Sequence, residues 1–142
     1  MTGTVEQIAV AAEESGLPGT VDEVEVRDRG MVGDRYADAR DITLIEAEAL
    51  EAFTDETGIE LTHEESRRQV LTRGVRLNDL VGKSFTVGEV ECVGRELCEP
   101  CSHLQSLTRD GVLRGMVHRA GLNADIVKPG RIAVGDQVAG LG

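Results

Sequence analysis

The sequence has no Trp, one Tyr (Tyr36) and two Phe (Phe53 and Phe85) in 142 residues. A core this poor in rings must be assembled from Val, Leu, Ile and Ala. Lysine is also scarce, with Lys83 and Lys128 set against 13 Arg, and neither Lys lies in a context that reads as a Schiff base. No apolar run approaches the ~20 residues needed to cross a bilayer. The first residues, MTGTVEQIAV, put no basic stretch ahead of an apolar one, which reads against a secretory signal. Neither a G-x-S-x-G elbow nor a G-x-x-x-x-G-K-[ST] loop occurs, and no His-rich metal triad has plausible spacing. Gly30-Met-Val-Gly33 sits outside any βαβ pattern, so it is not read as a dinucleotide fingerprint. Three cysteines without a signal peptide point to a reducing cytoplasm.

What is present is a globular balance: 40% hydrophobic and 29% charged residues. The length predicts one domain over 1–142, large enough to fold without disulfides or metal. The net charge of −11 argues against nucleic acid, whose phosphates select basic surfaces, and against anionic membranes. The charge is uneven. Residues 1–66 carry 18 acids and 4 bases, whereas residues 67–142 carry 8 acids and 11 bases. An acidic, Lys-poor surface fits a cytoplasm of high ionic strength, so a halophilic source is expected. All three cysteines lie in the basic half.

Short Val/Ile/Leu runs punctuated by Gly read as strands joined by tight turns. Strands are predicted over Thr4–Ala11, Val21–Arg27 with Val24 and Val26 inward, Ile42–Ile45, Arg68–Thr72, Lys83–Val87, Glu89–Leu97, Leu122–Val127 and Ile132–Val138. Arg29–Arg35 reads as a Gly-bounded loop. One good helix is expected over about Glu46–Thr57, with Ala47, Leu50 and Phe53 on one stripe, acids on a solvated face and Gly58 as its cap. A second helix is expected around Val112–Arg119. The fold class is therefore mainly β, a β-barrel-like or compact mixed-β domain with a few short helices.

Cys92 lies in an alternating strand and reads as a small core residue. Cys98-Glu-Pro-Cys101 follows that strand and precedes His103, in the kind of loop where sites lie. Four readings stay open at this level. The pair could be half of a zinc site completed by His63, His103 or His118. It could be a redox dithiol, a buried structural pair, or one reactive thiolate that binds sulfur or metal. The last requires neighbouring cations to lower the thiol pKa. Arg67-Arg68, with Arg73 and Arg76 following and His118-Arg119 further on, could supply them. Paired arginines in an acidic protein also suit an anionic ligand, because guanidinium binds phosphate bidentately.

Taken in order, the motifs resemble the MOSC family, named for the C-terminal domain of molybdenum cofactor sulfurase. They are Gly33-Asp-Arg35, Ile42-Thr-Leu-Ile45, Glu48-Ala-Leu-Glu51, Glu65-Ser-Arg-Arg68, Thr72-Arg-Gly74, Leu77-Asn-Asp-Leu-Val-Gly-Lys83, Cys98-Glu-Pro-Cys101, Val117-His-Arg119, Gly121 and Val134-Gly-Asp136, spanning about residues 30–138. Gln69 departs from the Asn often found after the Arg pair in relatives, and Tyr36-Ala stands where relatives often carry His.

The resemblance implies a β-barrel-like MOSC fold and dealings with the molybdenum cofactor, a pterin with a phosphate and a dithiolene-bound metal. It implies that Cys101 carries sulfur as a persulfide or ligates the metal, with Cys98 an additional Cys of the kind found in some short members; His103, two residues past Cys101, could tune the thiol or be an ordinary surface His. It implies that Arg35, Arg67, Arg68 and Arg119, together with Asp34 and Asn78 from the matching motifs, hold the anionic pterin and favour the thiolate. Pyridoxal phosphate is expected only on a separate cysteine desulfurase, which with a molybdoenzyme is the implied partner. Two alternatives stand beside this reading. One is a small molybdenum-dependent reductase of N-hydroxylated compounds, and the other is a zinc-stabilised interaction module without catalysis.

Overall fold

A computed structural model describes residues 2–12, 17–34, 41–98 and 119–141. Eleven strands dominate it. They are β1 (Thr2–Val10), β2 (Gly19–Val21), β3 (Glu23–Arg27), β4 (Gly30–Met31), β5 (Asp41–Glu46), β6 (Val70–Arg73), β7 (Ser84–Val87), β8 (Val90–Leu97), β9 (Leu122–Lys128), β10 (Gly130–Ala133) and β11 (Gln137–Gly140). Two short helices, α1 (Ala47–Thr57) and α2 (His63–Ser66), lie between β5 and β6, and a 3-10 turn covers Leu77–Leu80.

Seven strands run in the order β11-β7-β8-β9-β5-β6-β1, and β1 returns to β11 to close a barrel. Closure leaves these strands no open edge to pair with another chain. β2 continues from β1 as a flap, and β10-β3-β4 form a separate three-stranded sheet. The mainly β, barrel-like architecture expected from the Gly-punctuated runs is the one observed.

The barrel interior reflects strand alternation. Leu44 and Val70 point inward with Val5, Ile8, Phe85, Leu122 and Ile132, while Ile45 and Leu71 point outward into a second apolar cluster. That outer cluster receives Ala47, Leu50 and Phe53 from α1, the predicted stripe. β5 and β6 are parallel neighbours, so the chain must cross over between them. The crossover carries α1 and α2 and delivers residues 67–69 to the outer surface at the mouth of β6. The rest of the site is arranged around this delivery point.

Several expectations are corrected. The predicted run Ile132–Val138 is two strands, because Val134-Gly135 turns the chain at a Gly φ of 95°. Val21–Arg27 is interrupted at Asp22, although Val24 and Val26 do face the core. Within the loop expected at Arg29–Arg35, Gly30–Met31 is a strand paired with β3. The acids of α1 are not simply solvated. Glu46 accepts the Leu77 backbone N–H at 3.1 Å and Glu48 accepts that of Gly74 at 2.7 Å, clamping the loop after β6. The helix expected around Val112–Arg119 falls almost wholly on residues outside those described.

Among the described residues, no helix is long and apolar enough to cross a membrane.

Candidate functional site

The short turn α2, for which the sequence pattern predicts no element, aims the arginine pair. Thr62 and Glu65 form a reciprocal capping box. The Thr62 hydroxyl accepts the Glu65 N–H at 3.2 Å, and the Glu65 carboxylate accepts the Thr62 N–H at 3.0 Å. The spacing Thr-x-x-Glu is the signal that could have found it. The turn ends on Arg67 at φ 60°, the one non-glycine residue at positive φ among those described. A side chain in this left-handed region costs of order 1 kcal/mol or more. The strain is held by the Ser66 hydroxyl, which donates to the His63 carbonyl at 2.6 Å and accepts the Arg68 N–H at 3.3 Å.

Three further contacts fix Arg68 and Gln69. The Arg68 Nε–H donates to the Ala120 carbonyl at 2.7 Å. The Gln69 Oε1 accepts the Thr43 N–H at 2.9 Å, and the Gln69 N–H donates to the Thr43 hydroxyl at 3.0 Å. Gln69, the departure from the common Asn, therefore ties the entry of β6 to β5. Asp34 is buried and accepts the Ala11 N–H at 3.1 Å.

These residues surround one cleft of about 290 Å³. Its polar lining is Arg67, Arg68, Gln69, Thr43, Asp34 and Asp41, and its apolar lining is Ala9, Ala11 and Pro18. Asp41 lies in no sequence motif, and Thr43, within Ile42-Thr-Leu-Ile45, is given no site role by the sequence. Their alternation on one face of β5 could have flagged them. Asp41 is itself bridged to Arg95 at 3.1 Å, and Arg95 also reaches Asp125 at 3.2 Å.

Cys98 stands beside this cleft. Its backbone N–H donates to the Gly121 carbonyl at 2.8 Å. Burial pushes its thiol above the ordinary cysteine value, the nearby Arg68 and Arg95 only partly opposing this, while Asp41 and Glu96 add to it. For Cys98, then, burial outweighs the thiolate-favouring effect expected of the arginines. Cys92 is fully buried in the barrel core, as its strand context predicts, and burial pushes it up to about 12. At pH 7.5, iodoacetamide should label native Cys98 more slowly than an unfolded-chain thiol and leave Cys92 unlabelled. Raising the pH should accelerate Cys98, with peptide mass spectrometry as the readout.

The other predicted site residues divide. Asn78 and Arg119 line a different cleft, of about 430 Å³, with Glu46, Glu48 and Arg76. There Arg119 pairs with Glu56. Burial raises the Glu46 carboxyl pKa; the Leu77 hydrogen bond opposes this and Glu48 reinforces it. The structure thus brings Asp34, Arg67, Arg68 and Cys98 to one place and sets Asn78 and Arg119 at another. Cys101, His103 and Arg35 lie outside the described residues. Among the described residues, no group of three His, Cys, Asp or Glu side chains could hold a metal ion. His63, one proposed zinc ligand, is buried against Gln7 instead.

The fold has close counterparts. The YuaD protein from Bacillus subtilis matches with a TM-score of 0.82 at 16% identity, covering 97% of this chain and 94% of its own. YiiM from Geobacillus stearothermophilus matches at 0.79 and 14% identity, over 99% of this chain and 75% of its own. YiiM from Escherichia coli matches at 0.74 and 16% identity, over 100% of this chain and 70% of its own. No curated protein matches the sequence. The sequence itself matches the MOSC domain family over residues 10–139. The match runs from the end of β1 into β11 and so takes in both the barrel and the crossover that carries the arginine pair. This chain belongs to the MOSC domain family.

Proposed function

We propose that this MOSC domain binds the molybdenum cofactor and carries sulfur, as a persulfide on Cys101, for a metal-sulfur centre. The observation that carries the reading is the convergence of Arg67 and Arg68 in a cleft lined by both polar and apolar side chains. Two guanidiniums suit a phosphate, Gln69 and Thr43 offer polar groups to a pterin edge, and Ala9, Ala11 and Pro18 suit its flat face. The donor set therefore fits an anionic pterin. Arg67 and Arg68 would hold the phosphate, with Asp34 facing donor groups of the ring. Bound there, the cofactor would supply a metal whose soft sulfur ligands match a cysteine thiolate.

The chain's own chemistry centres on Cys101. Its thiolate attacks the outer sulfur of a persulfide on a partner cysteine desulfurase, whose pyridoxal phosphate belongs to that partner. A new S–S bond forms at Cys101, the partner's S–S bond breaks, and the partner cysteine leaves as thiolate. No net oxidation occurs. The sulfur then passes to a molybdoenzyme or its cofactor. The exchange needs reduced thiols, which suits a cytoplasmic setting.

Metal and sulfur analysis of protein produced together with the cofactor pathway tests the reading. Cyanide-releasable sulfur and molybdenum are expected in the wild type, with the sulfur lost in Cys101→Ala and kept in Cys98→Ala. Stoichiometric molybdenum with turnover of N-hydroxylated compounds, abolished by Cys101→Ala, would favour the reductase. Bound zinc, with unfolding by chelator, would favour the interaction module. Neither sulfur nor molybdenum in the wild type would refute the proposal.

A further inference from the structure

His63 is a buried titratable group for which the cofactor reading has no use. It is 4% exposed. Its Nδ1 lies 2.9 Å from the Gln7 Oε1. In the tautomer that donates from Nδ1 to this oxygen, Nε2 is left with a bare lone pair. Nε2 is buried and has no hydrogen-bond partner, an arrangement proteins normally avoid.

The position of the ring matters more than its isolation. His63 opens α2, the turn that ends on Arg67, and its own carbonyl holds the Ser66 hydroxyl that receives the Arg68 N–H. The backbone of Arg68 stands close enough to the ring to favour its protonated form. Its partner Gln7 lies on the same outward face of β1 as Ala9, which lines the cleft. Successive residues on one strand face are roughly 7 Å apart. The imidazole is thus tied to the cleft from two sides: its partner Gln7 is one strand-face step from Ala9, and its own turn ends on the arginine pair. The other charged groups facing it are Glu64 on its own turn and Glu6 on β1, and Glu6 is already paired with Arg73 at 2.6 Å.

We propose that His63 is a proton acceptor coupled to this cleft: when a tetrahedral dianion settles against Arg67 and Arg68, the buried imidazole takes up a proton from solvent and becomes imidazolium. This rests on the reading of the arginine pair as an anion site. Electrostatics sets the sign. In the empty protein, burial holds His63 below the ordinary histidine value, so it is neutral at pH 7. A nearby dianion stabilises the charged ring and moves it back up. By linkage, a proton that favours the bound state makes the anion bind more tightly as pH falls.

Sulfate is a suitable probe because it does not titrate in this range. Its affinity for the wild type, followed by NMR at constant ionic strength, should rise about threefold or more from pH 7.5 to 5.5. His63→Gln, which keeps a donor for Gln7, should bind with the wild-type affinity of pH 7.5 at both values. An equal rise in the variant, or a flat wild-type profile, would overturn the proposal. Sulfate that fails to bind at either pH would instead refute the anion reading of the arginines. If the variant does not fold, the wild-type imidazole resonances decide. The His63 titration midpoint should move up with sulfate but not with chloride, and an unmoved midpoint counts against the coupling.

Discussion

Gly121→Ala is expected to destabilise the protein by about 2–6 kcal/mol and to disturb the arginine cleft at the same time. Gly121 has φ 115°, a conformation that L side chains rarely adopt, and holding one there costs about 1–3 kcal/mol. A Cβ at this position would also drive into the Leu44 carbonyl of β5 and come within 3.5 Å of the Arg68 Nε. The first neighbour is strand backbone that cannot swing aside, so overpacking adds about 1–3 kcal/mol. The damage would reach the site because Gly121 and its neighbour are its anchors. The Ala120 carbonyl receives Arg68, and the Gly121 carbonyl receives the Cys98 N–H. Gly19→Ala is the control. It has open space around the new Cβ and should change stability by less than about 0.5 kcal/mol. Urea unfolding of both variants measures the difference, and a Gly121→Ala loss no larger than that of Gly19→Ala would refute the packing argument.

The second large effect separates stability from binding. Arg67 occupies a helix C-cap that glycine prefers, and it holds that position at the cost of left-handed backbone. Arg67→Gly should therefore fold, since relief of the left-handed side chain offsets the added chain entropy and the contacts that the Arg67 side chain gives up. It should nevertheless weaken retention of an anionic ligand by about 10- to 100-fold, the usual worth of a charge-assisted hydrogen bond of ~1.5–3 kcal/mol. A side chain held at positive φ beside a cleft is the kind of strain that accompanies binding sites.

Much of the fold is legible in the sequence, for identifiable reasons. The barrel can be anticipated because Val-rich runs alternate and Gly residues break them, and α1 because Ala47, Leu50 and Phe53 share a stripe. Arg67 and Arg68 stand out by charge against an acidic background. What escapes depends on contacts distant in sequence. Asp34 is legible from its motif, but not the Ala11 N–H that it accepts, and Asp41 and the site role of Thr43 escape because they join the cleft only through the parallel pairing of β5 with β6. Asn78 and Arg119 belong to motifs of the same family match, yet they line the other cleft, beside the 74–77 backbone that Glu46 and Glu48 clamp. Motif order records a shared fold, and only the fold decides which motifs face one another. The split of Ile132–Val138 is hidden because its Val-Gly-Asp turn sits inside an apolar run, where periodicity is silent.

The net charge of −11 also looks different once the residues are placed. Acids in the first half neutralise particular arginines, as Glu6 and Glu51 do for Arg73 and Glu56 does for Arg119. The cleft keeps its own local balance of two arginines against two aspartates. A small anion would thus be recognised by local geometry rather than by the overall field.

The central claim is that the Arg67–Arg68 cleft holds an anionic pterin. The most direct measurement is pterin fluorescence released by oxidation from protein purified out of cells that make the cofactor. The wild type should release pterin in a fixed ratio to protein, and folded Arg67→Gly should release about a tenth or less. Wild-type protein free of pterin, or an Arg67→Gly variant that retains it in full, would contradict the account.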